Sequence, residues 1–200
     1  MIYLTRHGET EWNRQKRVQG SKDSPLTAEG VLGAEKLGVR MGRIPLDYII
    51  ASPLYRAYRT ASIIAGDRQI PIIKEDALKE IHCGDFEGLP FDEIWQRYPQ
   101  MKQAMVEDPL HFKYPNGESL KEFYDRVQEG FKKIARDYEG KNILIVAHGG
   151  TVKGITTYIE GHLDAETWFK SVVSNCSLTQ IANNNNKFTI MAYNEIDHLE

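Results

Sequence analysis

Three apolar runs in this chain end in residues able to do chemistry. Ile2 to Thr5 stops at Arg6-His7-Gly8, Tyr48 to Ala51 stops at Ser52-Pro53 with Arg56 one helical turn on, and Ile143 to Ala147 stops at His148-Gly149-Gly150. Arginine forks make charge-assisted hydrogen bonds to a phosphoryl dianion, and a protonated His148 would add a donor. Neighbouring cations oppose protonation of His7, which keeps its imidazole neutral. A neutral imidazole can attack phosphorus in line and form a phosphohistidine. The leaving alkoxide then needs a proton, and the segment LKEIHCGDFEG offers Glu80, Asp85 and Glu87 for it. The residues alone leave these three carboxyls open.

Each feature has a plainer reading when taken singly. A lone Arg-His-Gly is weak. A single His148 is more often a core histidine bonded to backbone. Arg56 and Arg59 would be a solvated helix face, and Glu80 an exposed charge. Coincidence at three strand ends carries the reading, because ligands of open parallel sheets bind outside the carboxyl ends of the strands. Helix starts after Ser52 and Gly150 are expected to add backbone N–H donors to the anion. No metal is expected: His82 and Cys83 lack a second ligand pair at suitable spacing, and arginine charge would do a metal's electrostatic work.

The elements that must hold these residues are legible as alternating strand and helix. Thr27 is a natural N-cap, followed by Val31, Ala34, Leu37 and Met41 at helical spacing up to the break at Pro45. Ser52 as N-cap and Pro53 as first residue predict a helix to about Gly66. IPIIKED predicts a third strand. Ser119 and Glu122 make a capping box for a helix with Leu120, Phe123, Val127, Phe131, Ile134 and Tyr138 on one stripe, with Gly140 as its stop. A helix is expected from about Thr151. Ser177 to Ala182 and Phe188 to Tyr193 predict a hairpin turning at NNNNK. The fold expected is α/β: a three-layer sandwich with a mostly parallel central sheet flanked by helices. Residues 1–200 are read as a single domain, with an insertion at about 81–118 covering the active site. Short helices are expected there near Phe91 to Tyr98 and Met101 to Val106. The aromatics Trp95, Tyr98, Phe112 and Tyr114 would either line a pocket or pack the insertion.

Composition narrows the partners. The net charge of -3 gives no global field for nucleic acid or an anionic membrane. No apolar run approaches the ~18 residues of a membrane span, and no signal peptide is visible. Cys83 and Cys176 stand far apart and are read as reduced thiols of a cytoplasmic protein.

The ordered set LTRHGETEWN, QGSKDSPLTAEG, SPLYRAYRTA, LKEIHCGDFEG, PNGES and VAHGG resembles the histidine phosphatase superfamily, in the branch related to cofactor-dependent phosphoglycerate mutases. The resemblance implies that His7 is the phosphorylated nucleophile and that Arg6, Arg56 and His148, beside Gly149, bind the transferring group. It implies that Asn13 touches that group, that Gln19 and Gly20 contact substrate, and that Glu80 is the acid among the three carboxyls. Departures matter too. Ile81 stands where glycolytic mutases carry arginine after the acid, and their lysine and paired arginines have no counterpart here. Phe86-Glu87-Gly88 instead resembles the smaller, broad-specificity phosphatases, including alpha-ribazole phosphatase-like members. The expectation is a metal- and cofactor-independent phosphomonoesterase acting on a small phosphorylated metabolite. Phosphoglycerate mutase is the alternative, and a non-catalytic phospho-ligand module a further one.

Overall fold

Successive side chains of a strand face opposite sides of the sheet, and the core follows that alternation. In β1 (Ile2–Arg6), Ile2 and Leu4 face one apolar cluster and Tyr3 the other; in β4 (Ile143–Ala147), Ile143, Ile145 and Ala147 face the first and Leu144 and Val146 the second. Strands buried on both faces need a layer of helices on each. α2 (Ala28–Met41) and α3 (Tyr55–Ala65) cover one face, while α6 (Leu120–Asp137) and α7 (Gly149–Glu160) cover the other. The computed structural model describes residues 1–161 and 172–200.

The six-stranded sheet has the order β3-β2-β4-β1-β5-β6, where β2 is Tyr48–Ala51, β3 Ile72–Lys74, β5 Leu178–Asn184 and β6 Lys187–Glu195. The pairs β1–β4, β4–β2 and β2–β3 are parallel, and β5 and β6 add an antiparallel hairpin at one edge. The hairpin turns at Asn185 and Asn186, both with positive φ, a conformation asparagine tolerates. No described helix is long and apolar enough to cross a membrane.

Thr27 and the Ser119–Glu122 box cap α2 and α6 as expected. Two local expectations differ. Ser52 does not cap α3; that helix begins at Tyr55, and Asp23 accepts its first N–H groups, from Tyr55 at 2.7 Å and Arg56 at 3.3 Å. The sequence reading also lacks α1 (Glu11–Arg14), held by a capping box between Thr10 and Asn13. Within 81–118, α4 (Phe91–Arg97) and α5 (Pro99–Glu107) form beside a small apolar cluster of Val18, Cys83, Phe86 and Ile94.

Candidate active site

Register brings the three strand ends together. Arg6 pairs with Ala147, and Ala51 with Val146. The ladders run one step further, with His7 N–H donating to Ala147 O at 2.9 Å and Ser52 N–H to Val146 O at 3.0 Å. His7, Ser52 and His148 therefore leave the sheet side by side, and all three are buried.

The partners of His7 define its tautomer. Nδ1 lies 2.7 Å from Gly8 O, which can only accept; Nε2 lies 3.3 Å from Arg56 Nε, which can only donate. The proton thus sits on Nδ1 and the lone pair on Nε2. Burial, followed by the charges of Arg56 and Arg6, holds His7 well below the usual imidazole range. Its ring meets that of His148 edge-on at 5.2 Å. Burial and then Arg56 likewise push His148 well below that range. This corrects the expectation of a protonated His148: the ring is neutral, and it can donate from one nitrogen only.

Ser52 explains which nitrogen that is. Its Oγ lies 2.7 Å from His148 Nε2 and 3.4 Å from Leu54 N, an N–H that Oγ can accept. Among the described residues Nε2 is the acceptor within reach of this buried hydroxyl, so the serine donates to Nε2 and the imidazole proton resides on Nδ1. His148 Nδ1 and Arg6 Nε are buried and have no hydrogen-bond partner. Buried polar atoms are ordinarily satisfied, so two orphans in a cluster of positive charge fit an anion that accepts from both. Arg6 is anchored through Nη1 to Val173 O at 2.7 Å, and a Cβ on Gly149 would lie 3.6 Å from Arg6 Nε.

Arg56 differs from the free fork expected of it. Nη1 donates to Lys22 O and Asp23 Oδ1, both at 2.7 Å, Nη2 to Gly20 O at 2.7 Å, and Nε to His7. Four of the five N–H groups a guanidinium carries are thereby engaged, so Arg56 acts chiefly as a fixed charge. Three of the helix-start donors expected for an anion are also engaged. Those of α3 go to Asp23, and Gly150 N–H donates to Glu80 Oε2 at 3.0 Å. Arg59 is exposed, in keeping with a solvated helix face.

Of the three carboxyls, Glu80 alone shares a cavity with Arg6 and Arg56. Its Oε1 accepts from Ile81 N–H at 3.0 Å. A Cβ on Gly150 would come within 2.3 Å of that oxygen, so only glycine lets the carboxylate lie over the start of α7. Asp85 is bonded to Asn116 at the surface, while Glu87 is buried and accepts from Ser21 N–H, Ser21 Oγ and Cys83 N–H. Glu87 thereby braces the loop of Gly20, which has φ +56°.

The cavity holds about 500 Å³ and is also lined by Asn13, Gln19 and Gly20. Asn13 Oδ1 accepts from Thr10 N–H at 3.1 Å, which leaves the Thr10 hydroxyl to donate to Gln19 Oε1 at 3.0 Å, so any contact the two amides make with an anion is through their N–H₂ groups. Trp95 and Tyr114 line the cavity, and Phe112 lines an adjoining one with Tyr114; Tyr98 packs on Phe86 instead, at 4.9 Å. Lys16 and Arg17 also line the main cavity. Sequence reasoning missed Asp23, Ser52 and these two cations. An SP pair reads first as a helix start, and nothing in the sequence ties Asp23 to a helix beginning at Tyr55. Among the described residues, no cluster of three or more His, Cys, Asp or Glu could hold a metal.

Comparison with known proteins finds relatives over nearly the whole chain. Residues 2–196 match the family model of the histidine phosphatase superfamily (branch 1). The chain is 39% identical to the uncharacterized phosphatase PhoE of Bacillus subtilis (strain 168), covering 99% of this chain and 96% of that protein. It is 36% identical to the probable phosphoglycerate mutase GpmB of Serratia proteamaculans (strain 568), covering 90% and 83% respectively. The structure of Bacillus stearothermophilus YhfR superposes with a TM-score of 0.93 at 35% identity, covering 100% of this chain and 98% of that one. The chain belongs to branch 1 of the histidine phosphatase superfamily.

Proposed function

We propose that the protein is a metal-independent phosphomonoesterase acting on small organic phosphates through a phosphohistidine at His7. The observation that carries this reading is the pair of buried, unpartnered atoms, Arg6 Nε and His148 Nδ1, beside an imidazole whose lone pair sits on Nε2. In the first step His7 Nε2 bonds to phosphorus while the ester P–O bond breaks, and the departing oxygen takes the proton of Glu80. The positive charge that develops on the ring is stabilised through Nδ1–H donating to Gly8 O. In the second step Glu80, now a carboxylate, takes a proton from water as that water attacks phosphorus. The P–N bond breaks, returning the lone pair to Nε2 and releasing orthophosphate. Arg6, Arg56, His148 and the amides of Asn13 and Gln19 supply charge and donors for the equatorial oxygens. Segment 81–118 serves as the wall for the leaving group.

Mutase activity is the second reading, and the lining cations Lys16 and Arg17 favour it, because they would help to retain a bisphosphate. Arg17 Nη1 already donates to Gly88 O at 2.7 Å, which leaves less of it for a second phosphate. The test supplies 3-phosphoglycerate and follows both products. Orthophosphate should appear faster than 2-phosphoglycerate; isomer formation outrunning phosphate release would overturn the choice.

A further inference from the structure

The reaction above needs Glu80 aimed at the leaving oxygen, yet residues 79–83 belong to no helix or strand. Their direction has to be imposed from outside. Arg126 of α6 and Glu118, just before that helix, form a two-pronged ion pair: Nε donates to Oε1 at 2.9 Å and Nη2 to Oε2 at 2.8 Å. Their side chains are only 28% and 24% exposed. The guanidinium also stacks over the Phe123 ring, 5.1 Å from its centroid.

The pair grips the backbone on both sides of Glu80. Arg126 Nη1 donates to Ala77 O at 3.0 Å and Lys79 O at 3.1 Å, and Nη2 to Glu80 O at 3.4 Å. Glu118 Oε2 accepts from His82 N–H at 2.9 Å. Thr151 Oγ1, from α7, meets the same loop at Leu78 O and Lys79 O, at 3.2 and 3.3 Å. A guanidinium suits this task because its N–H groups point in fixed, coplanar directions, which a lysine cannot reproduce. Burial pushes the Glu118 carboxyl up, but the hydrogen bonds from Arg126 and His82 outweigh it and hold the group below the usual carboxylate range. The charged pair therefore persists through neutral pH.

We propose that Glu118 and Arg126 are positioning residues for proton transfer by Glu80. They fix the backbone at residues 77, 79, 80 and 82, so that the carboxyl is held over the N-terminus of α7. The proposal rests on Glu80 being the acid, and a misplacement of about 1 Å from a distant group can cost on the order of 10²-fold in rate.

The experiment measures kcat for an alkyl ester, glycerol 2-phosphate, and for p-nitrophenyl phosphate, whose leaving group scarcely needs a proton. The variants are Glu80→Gln, Arg126→Met and Glu118→Gln, each alone and the latter two also combined with Glu80→Gln. Arg126→Met and Glu118→Gln should each slow the alkyl ester about tenfold or more and the nitrophenyl ester less than about threefold. Combined with Glu80→Gln, either should cost the alkyl ester less than about twofold more, because residues acting as one unit are non-additive. If Arg126→Met does not fold, the near-isosteric Glu118→Gln decides alone. Equal slowing of both esters, or full additivity with Glu80→Gln, would overturn the positioning role while leaving Glu80 as the acid. Absence of any leaving-group dependence in Glu80→Gln itself would overturn both.

Discussion

The ends of β1, β2 and β4 meet beside the cavity that Arg6 and the segment 81–118 line, but the strand ends and the segment are built differently. The strand ends continue a ladder whose residues are almost wholly buried, and their side chains are fixed by hydrogen bonds to one another and to backbone. The segment 81–118 packs around only four buried residues of its small cluster, Val18, Cys83, Phe86 and Ile94. The contrast separates two tasks. In the proposed reaction, attack on phosphorus and the gripping of the phosphoryl group by Arg6 and His148 fall to groups that cannot move without disturbing the sheet. Choice of leaving group is assigned to a wall that can be altered without unfolding it.

That division can be broken at several levels. His7→Ala should lower kcat by about four orders of magnitude or more, whatever the leaving group, while circular dichroism and melting show an intact fold. Glu80→Gln should slow alkyl esters by about 10²–10³-fold and p-nitrophenyl phosphate far less; equal slowing would remove Glu80 from proton transfer. Phe131→Ala, in the main core, should lower global stability by about 3–5 kcal/mol. Phe86→Ala, equally buried, should shift the global melt less and instead speed proteolysis within 81–118. Matching global losses for the two would erase the contrast.

Acid should also act on the sheet-end site first. His7 and His148 are held neutral in the fold well below the imidazole range, whereas the unfolded chain protonates them near pH 6.5. Below about 6.5 the unfolded state binds more protons, so stability falls as pH drops, by about 1.4 kcal/mol per pH unit for each histidine, until their folded values are reached. Denaturant titrations at pH 7 and pH 5 should show the loss, and His7→Gln should make it shallower. An unchanged slope would mean that His7 is already protonated in the fold. The smallest effect is expected at the wall: Trp95→Ala should change KM for bulky esters by up to about tenfold and kcat little.

Much of the site was legible because strand ends are simple to read. An apolar run followed by Arg-His-Gly or His-Gly-Gly places reactive groups at the end of a strand, and parallel register brings such ends together. The donors available to an anion were less legible. Arg56 reads as a free fork until Gly20, Lys22 and Asp23 are seen to accept from it, and those contacts lie over thirty positions away in the chain. Ser52 reads as a cap because an SP pair usually opens a helix, whereas here its hydroxyl belongs to His148. α1 spans four residues, too short to show a periodicity, and its box uses Asn13 where Glu or Gln is the usual signal. The PNGES motif marked the start of α6 without revealing the ion pair from Glu118 to Arg126, because packing against the Glu80 loop, not local sequence, decides that contact.

The central claim is that His7 Nε2 bonds covalently to phosphorus during turnover. Mixing the protein with excess p-nitrophenyl phosphate, quenching within milliseconds in alkali and mapping the peptides by mass spectrometry tests it directly. The expected result is an acid-labile, alkali-stable phosphoryl group on the peptide carrying His7, present in the wild-type protein and absent from His7→Ala. A burst of nitrophenol with no phosphopeptide at His7, or turnover that survives in His7→Ala, would contradict it.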